Sequence, residues 1–251
     1  MKKFFLMLLA VSTFIWSGSV LAYTIDDTVN VGKGTTLGSE SSASEWLDYI
    51  GDHFDTEGID VNMTGGSITI TMYTKFDGLY TYSDANGEDN FYAADLGLDL
   101  NLNGTYEYGV VLTHGTGGDQ DYSAALYKGG TWKSSYNILE GKTINDLYYG
   151  EFYPEPSSNR EAWVKMEGGT KKGDVTINIS SDSGLYAWTL AIDKNLFDSG
   201  DLGNQMGIFW ATGTCANDVV EGVVPIPTTI LLLGSGLLGF GLLSRRKKGN
   251  T

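Results

Sequence analysis

Two stretches of strict alternation between polar and apolar residues constrain the fold of this chain most strongly. They are Ser67-Ile68-Thr69-Ile70-Thr71-Met72-Tyr73 and Asp174-Val175-Thr176-Ile177-Asn178-Ile179-Ser180. A period of two is the pattern of a β-strand that buries one face and leaves the other in water. Similar patterns predict further strands over 108–112, 186–192 and 205–211.

Glycine-containing breaks separate these strands and indicate how they are connected. The clearest breaks are Gly65-Gly66, Gly129-Gly130 and Asp182-Ser183-Gly184. Many short strands joined by tight turns favour a mainly β protein, an antiparallel β-sandwich or jelly-roll-like domain. Trp188 and Trp210 fall inside strand patterns, so we expect both in the core. One short helix is predicted over 42–51, where a capping-box spacing precedes an apolar face.

Hydropathy divides the 251 residues into three parts. Residues 1–22 have the charged start and apolar core of a secretory signal peptide, and Val20-Leu21-Ala22 fits its cleavage site. We therefore expect a mature chain that begins at Tyr23 after Ala22. Residues 23–223 are long enough for one extracellular β-sandwich domain. Residues 224–251 form a separate tail.

The tail contains three features in a fixed order. A motif of Val224, Pro225, Ile226 and Pro227 comes first, and an uncharged apolar run follows over 228–244. A helix over this run would be roughly 25 Å long, close to the thickness of a bilayer core of about 30 Å. The basic cluster Arg245, Arg246, Lys247 and Lys248 ends the run, and such residues stay on the cytoplasmic side. These features predict a single transmembrane helix with the body outside the inner membrane.

This combination of motif, glycine- and leucine-rich span and basic cluster resembles the PEP-CTERM sorting signal of Gram-negative bacteria. The residue between the two prolines is Ile226, where that family usually has glutamate. The resemblance implies that the Sec machinery exports the chain and that a membrane protease-transpeptidase, exosortase, processes it near the motif. It also implies a transient membrane anchor, followed by a cell-surface or extracellular location.

Charge and cysteine content limit the possible partners. The net charge is −15, with 31 acidic residues. Such a surface repels nucleic acid and anionic lipid, and it suits divalent cations or neutral glycans, such as an exopolysaccharide. The one cysteine, Cys215, allows no intramolecular disulfide.

One segment is similar to a calcium loop. Its candidate oxygen ligands are Asp99, Asn101, Asn103, Thr105 and Glu107, with a glycine at the sixth position. The twelfth position is Val110 in place of a bidentate glutamate, so calcium would need help from elsewhere, for example from Asp95. The same spacing describes an Asn-Gly hairpin between two strands, and we favour the hairpin. Asn217, Asp218 and Glu221 are a second candidate cation site, or a cap on the last strand.

No catalytic motif is evident. His53 and His114 are the two histidines, and neither lies beside a nucleophile motif. Trp132, beside a glycine turn, could stack on a sugar ring or pack over the edge of the sandwich. The sequence therefore favours a protein that is not an enzyme, with a structural, adhesive or glycan-associated role in the envelope or extracellular matrix. The alternative is an extracellular carbohydrate-active enzyme, a glycoside hydrolase or lyase. A tryptophan beside two facing carboxylates would favour the enzyme, and a flat polar surface would favour the matrix role.

Overall fold

The computed structural model describes residues 21–26, 54–84, 87–134, 163–214 and 219–226, and these residues are mainly β. The predicted helix over 42–51 lies outside them. A short 3-10 helix occupies Lys194–Leu196. The strands are β1 (Leu21–Asp26), β2 (Thr56–Met63), β3 (Ser67–Thr74), β4 (Leu79–Asp84), β5 (Gly87–Tyr92), β6 (Leu96–Asp99), β7 (Tyr108–His114), β8 (Tyr122–Lys128), β9 (Thr131–Ser134), β10 (Trp163–Glu167), β11 (Thr170–Asp182), β12 (Leu185–Asp193), β13 (Gln205–Ala211) and β14 (Val219–Pro225).

Ten of these strands form one antiparallel sheet, in the order β1-β2-β3-β12-β11-β8-β7-β6-β13-β14. The remaining four make two hairpins, β4 with β5 and β9 with β10. The five strands predicted from alternation are all present, and the glycine breaks predicted as turns lie between strands. The prediction of a mainly β, antiparallel domain is therefore confirmed.

The long strand β11 divides this sheet into two halves. Its residues 170–175 pair with β8, and its residues 176–182 pair with β12. A register shift between Lys171 and Gly173 accompanies the change of partner, as expected where a bulge increases the local twist. At the opposite end, Ile25 of β1 lies against Gly222 of β14, where a Cβ would come within 2.8 Å of the isoleucine side chain. The sheet thus curls until its two edge strands meet, and its halves are continuous through β11.

One hydrophobic core fills the space that the sheet encloses. The inward positions of β3, β12 and β7 supply Ile70, Leu190 and Val110, all fully buried. Burial of one such side chain contributes about 1.5–3 kcal/mol relative to exposure. Trp188 and Trp210 are also fully buried, which confirms their prediction as core residues. Each indole N–H donates to a carbonyl oxygen, Trp188 to Phe76 at 3.2 Å and Trp210 to Ala94 at 3.1 Å.

In the part of the chain that the structure describes, no helix is long and apolar enough to cross a membrane. The transmembrane helix predicted over 228–244 lies outside that part, as do Pro227 and the basic cluster Arg245, Arg246, Lys247 and Lys248.

Candidate functional site

A second apolar layer lies on the outer face of the half-sheet that contains β6, β7, β13 and β14. Because successive side chains of a strand alternate between faces, Phe209 and Ala211 of β13 point away from the main core. They form a separate buried cluster with Tyr106, Val164 and Val219. The β9–β10 hairpin covers this cluster, and Trp132 and Trp163 of the hairpin pack against it.

A buried ion pair fixes the hairpin on the sheet. The Asp95 side chain is fully buried, and its carboxylate accepts hydrogen bonds from the N–H groups of Leu112 and Met166, each at 2.8 Å. Lys165 of β10 completes the arrangement, with its Nζ 3.0 Å from Asp95 Oδ1 and 2.9 Å from the Leu112 carbonyl oxygen. The Asp95 oxygens are thus engaged inside the protein, and the help of Asp95 in holding calcium stays a prediction.

Two glycines of the sheet make room for the aromatic rings above it. A Cβ on Gly97 would lie 2.9 Å from Cγ of Tyr106, and one on Gly109 would lie 3.1 Å from the Trp132 ring. Any larger residue at these positions would push the rings away from the sheet. Tyr106 and Trp132 are thereby held in an edge-to-face arrangement, with ring centroids 5.9 Å apart.

Glu221 lies at the edge of this aromatic group, on the outer face of β14. It is the register partner of Phe209, so both side chains project from the same face. The Tyr106 hydroxyl donates to Glu221 Oε1 at 3.0 Å. Burial, with the negative charge of Asp99, raises the pKa of the Glu221 carboxyl above its usual range, while the bond from Tyr106 acts in the opposite direction. Burial and Glu221 together raise the pKa of the Tyr106 phenol, which therefore remains a donor.

Asp99 is held by the loop that follows β6. Its Oδ1 accepts from the N–H groups of Asn101 at 3.2 Å and Asn103 at 3.3 Å, and its Oδ2 accepts from Gly104 at 2.7 Å. A carboxylate with three backbone donors has a fixed orientation. Asp99 pairs in register with Gly207, on the same outer face as Glu221. A buried, fixed carboxylate and a partly buried glutamate therefore lie on the same face of the sheet as Trp132.

In the loop over 99–107, which is similar to a calcium site in sequence, polar side chains form hydrogen bonds with groups of the same loop. Asn103 Oδ1 accepts from the N–H of Thr105 at 2.7 Å, and Glu107 Oε2 accepts from the N–H of Leu100 at 3.1 Å. Asn101 Oδ1 accepts from Asn103, and its amide group donates to Glu107. The favoured hairpin is present, since β6 pairs with β7 and residues 100–107 connect the two strands. Calcium binding by Asp99, Asn101, Asn103, Thr105 and Glu107 stays a prediction.

Trp132 is half-buried and helps to hold the β9–β10 hairpin on the sheet. Its indole N–H donates to the Tyr106 carbonyl oxygen at 2.9 Å, and its ring packs over the second cluster. This is the edge-packing alternative considered for Trp132. The Trp132 side chain is only half-buried, so packing does not preclude contact with a ligand.

The start of the tail motif belongs to the folded sheet. Val224 is buried in the main core, and Pro225 ends β14 opposite Gln205. Ile226 is also buried, and its N–H donates to the Asn204 carbonyl oxygen at 2.6 Å. These residues are extended, as a protease substrate would be, but they are hydrogen-bonded to a neighbouring segment.

The remaining predicted residues are placed as follows. Ala22 and Tyr23 lie in β1, where Tyr23 packs against the core. His114 ends β7 and stacks between Tyr92 and Tyr122 at centroid distances of 5.1 and 5.0 Å. His53, Cys215, Asn217 and Asp218 lie outside the described residues. Among those that the structure does describe, no group of three or more histidine, cysteine, aspartate or glutamate side chains could hold a metal ion.

The pairing of Glu221 with Tyr106 was not predicted from the sequence. Glu221 was considered as a cation ligand or a strand cap, whereas it lies inside β14. These two residues are 115 positions apart in the chain. The one signal available in advance was the pair of valines on each side of Glu221, because β-branched residues favour a strand.

Comparisons with known proteins point to enzymes that act on sugars. The chain is 27% identical over 131 residues to an arabinofuranosidase/B-xylosidase of Trichoderma koningii and to an alpha-L-arabinofuranosidase of Hypocrea jecorina. A probable alpha-L-arabinofuranosidase B of Aspergillus fumigatus is 28% identical over the same length. No family model and no solved structure matches the chain.

These similarities contradict the sequence-based prediction that the chain is not an enzyme, because the similar proteins are named as glycosidases. The matched region is 52% of this chain and 26% of each of these proteins. The chain therefore aligns with about a quarter of the length of its curated relatives.

Proposed function

We propose that this chain is an extracellular carbohydrate-active protein that hydrolyses glycosidic bonds beside the partly buried Glu221, behind which Tyr106 and Asp99 are buried. The observation that carries the proposal is a partly buried glutamate that accepts the Tyr106 hydroxyl at 3.0 Å on the same face as a second carboxylate, where burial raises its pKa. Glycoside hydrolysis most often uses such a pair, one member of which must be protonated near the working pH. The similarity to arabinofuranosidases supports the same chemistry.

Glu221 is the candidate general acid. As the bond between the sugar and its leaving group breaks, the Glu221 carboxyl transfers its proton to the leaving oxygen. The transition state carries positive charge on the sugar ring. Asp99, fixed by three backbone N–H groups, supplies a nearby negative charge that stabilises it. A water molecule then adds to the anomeric carbon and gives its proton to the Glu221 carboxylate, which restores the acid. Tyr106 orients Glu221 through its hydroxyl group.

Trp132 is the candidate sugar platform. An indole ring can cover the apolar face of a sugar while its N–H remains bonded to the protein. Here the N–H is fixed on the Tyr106 carbonyl oxygen, and the ring meets Tyr106 edge to face. A sugar stacked on Trp132 would lie beside the residue that donates to Glu221.

The test compares two glutamine variants of the purified chain on aryl α-L-arabinofuranosides and β-xylosides. Glu221→Gln keeps the shape of the side chain and an acceptor for Tyr106, but it removes the acidic proton. We expect kcat to fall by at least about 100-fold, the usual contribution of general acid catalysis. Glu57→Gln is the matched control, because Glu57 is an exposed glutamate of β2 in the other half of the sheet.

Two results would overturn this proposal. Hydrolysis that is unchanged in Glu221→Gln would exclude Glu221 as the acid. A wild-type chain that hydrolyses neither class of substrate, while it retains cooperative unfolding, would exclude the activity for these sugars.

We also propose that the chain is an exosortase substrate that reaches the cell surface. The tail motif supports this proposal. Strand β14 ends at Pro225 and the Ile226 N–H is bonded to Asn204, so cleavage beyond Ile226 would keep all of the described strands. Mass spectrometry of the surface or released protein should detect a C-terminus close to Pro227. Peptides from 231–243 that remain joined to the surface body would contradict sorting and indicate a plain membrane anchor.

A further inference from the structure

Two exposed apolar side chains lie next to Glu221 on the outer face of the sheet. Among the residues that the structure describes, Leu102 and Val223 are the only exposed large hydrophobic residues, at 41% and 53%. Val223 follows Glu221 by two positions in β14, and the intervening Gly222 faces Ile25 of β1. Side chains two positions apart in a strand project from the same face, about 6.7 Å from each other. Val223 is therefore the neighbour of the candidate acid along the strand.

Leu102 reaches the same place from the loop that follows β6. A Cβ on Gly207 would lie 3.4 Å from Cδ2 of Leu102, so this leucine covers the glycine. Gly207 is the register partner of Val223, and the Cβ positions of such partners are about 4.5–5.5 Å apart. Leu102 and Val223 therefore lie side by side, and we call them the apolar pair.

The backbone of Leu102 does not account for a leucine at this position. Its φ of 55° lies in the left-handed region, which asparagine adopts more readily than leucine does. The loop holds this conformation from both sides, because the Asp99 carboxylate accepts from the N–H groups of Asn101 and Asn103. Residues kept in such a conformation cluster at ligand sites. The exposed apolar side chain is therefore the property of Leu102 that requires an explanation.

The apolar pair and the candidate sugar platform lie in different rows of the sheet. Glu221 ends a row that runs across four strands, and the Trp132 ring lies over the first member of this row. The row consists of Gly109, Gly97, Phe209 and Glu221. The apolar pair lies in the next row, over β13 and β14. A sugar that stacks on Trp132 reaches Glu221 along the first row, which leaves the second row for the group on the other side of the scissile oxygen.

The chemistry of the apolar pair indicates what kind of group fits there. Leucine and valine side chains offer no hydrogen-bond donor or acceptor, and the side chains of Asn101 and Asn103 form hydrogen bonds within the loop. A leaving group rich in hydroxyl groups would lose bonds to water without replacement. Two partly exposed side chains match a single ring and are far smaller than the roughly 800 Å² that a protein partner covers. The net charge of −15 disfavours an anion. An uncharged apolar ring meets all of these conditions.

We propose that the apolar pair binds the leaving group of the substrate, and that this group is an uncharged aromatic ring, as in a phenolic glycoside. This role of the pair rests on the proposed hydrolysis at Glu221, because the general acid defines the leaving side. The bond from the anomeric carbon to the phenolic oxygen breaks, and this oxygen takes the Glu221 proton. Water then supplies the hydroxyl group of the sugar, and the neutral phenol departs.

The experiment compares phenyl and methyl glycosides of α-L-arabinofuranose and β-D-xylopyranose, which differ in the leaving group alone for each sugar. Their Kd values are measured by methyl NMR titration of the purified full chain carrying Glu221→Gln, which prevents turnover during the measurement. We expect the phenyl glycoside of at least one sugar to bind about tenfold more tightly than its methyl glycoside, the gain typical of a small apolar contact. The methyl signals of Leu102 and Val223 should shift with the phenyl glycoside and stay in place with the methyl glycoside.

Two shape-preserving substitutions in the same Glu221→Gln chain test the apolar pair itself. Leu102→Asn suits the left-handed backbone, and Val223→Thr keeps a β-branched residue in the strand. The double variant should reduce the phenyl preference from about tenfold to nearly none. Val111→Thr is the matched control, because it makes the same change at a half-buried valine of β7, three strands from β14. This control should keep the phenyl preference.

Equal Kd values for phenyl and methyl glycosides, absence of binding by both, or a phenyl preference that survives in the double variant would overturn this role. An equal loss in Val111→Thr would do the same. Hydrolysis is measured separately, with Glu221 in place. A phenyl preference that requires the apolar pair, in a chain that hydrolyses none of the glycosides, would support the ring-binding site and overturn only the proposed hydrolysis. Hydrolysis that depends on Glu221, without a phenyl preference in binding, would overturn the leaving-group role alone.

Discussion

At the scale of single residues, the contact between Tyr106 and Glu221 combines two opposing effects. Burial disfavours the ionised carboxylate, while a phenol donor at 3.0 Å favours it. The net result is a glutamate that keeps its proton at a higher pH than an exposed glutamate does. Such a residue contributes most to stability below its unfolded-state pKa, and this contribution is lost as the pH rises through the folded-state pKa.

We predict that Tyr106→Phe raises the pKa of Glu221 further. The phenol stabilises the charged form, so its removal shifts the equilibrium towards the protonated form. The measurement is a titration of the glutamate carboxyl carbons by NMR. Tyr186→Phe, on β12, is the control and should leave the Glu221 titration in place. A Glu221 pKa that stays constant or falls in Tyr106→Phe would show that this hydrogen bond does not set it.

At the scale of elements, the β9–β10 hairpin depends on one charged contact. Lys165 of β10 pairs with the fully buried carboxylate of Asp95. Lys133 of β9 pairs at 3.5 Å with the exposed Glu167. Both strands therefore offer a lysine in an ion pair, and the two pairs differ in burial. Buried charges that lose a partner are costly, and exposed pairs contribute little.

We predict that Lys165→Met destabilises the protein by about 3 kcal/mol, because it leaves the charge of Asp95 buried without its cation. Lys133→Met is the matched control, and it should cost less than about 1 kcal/mol. Urea unfolding at constant pH measures both values. Equal effects of the two substitutions would mean that the buried ion pair does not fix the hairpin.

The loop over 99–107 is a second element with a testable property. If its oxygens hold calcium, millimolar calcium should raise the Tm of the chain, because a ligand that binds the native state stabilises it. Thermal unfolding in calcium, in magnesium and in EDTA measures this effect. The hydrogen bonds within the loop satisfy its side chains without an ion, so an identical Tm in all three solutions would remove the calcium hypothesis.

At the scale of the whole molecule, the sequence predicts the strands better than it predicts their contacts. Alternation identified β3 and β11 because each buries one face. It did not identify β14, since Val220 and Val224 lie in the main core while Val219 lies in the second cluster. The segment that contains these valines was therefore interpreted as a connection to the tail.

The candidate site was still harder to foresee. Asp95 and Lys165 are 70 positions apart in the chain. Their contact depends on how the β9–β10 hairpin docks on the sheet, and no local pattern encodes that docking. The neighbours of a residue across the sheet depend in the same way on strand register, because alternation shows which face a side chain is on but does not show how the strands align.

We predict that β14 is indispensable to the fold. Its buried residues Val220 and Val224, with Ile226, each contribute about 1.5–3 kcal/mol, which together is comparable to the net stability of about 5–15 kcal/mol of a whole domain. A chain that ends at Asp218 should lose cooperative thermal unfolding by circular dichroism, whereas a chain that ends at Pro227 should retain it. Similar unfolding curves for the two chains would contradict this assignment.

The meeting of β1 with β14 also determines when the protein can fold. Ile25 packs against Gly222, so the first and last described strands close the core together. Contacts between such distant parts of a chain form slowly, because the loop between them must be ordered first. During synthesis, the sheet cannot close until Ile226 has left the ribosome. The growing chain consequently stays in an open, threadable state for most of its synthesis, which is the state that passage through a narrow export channel requires.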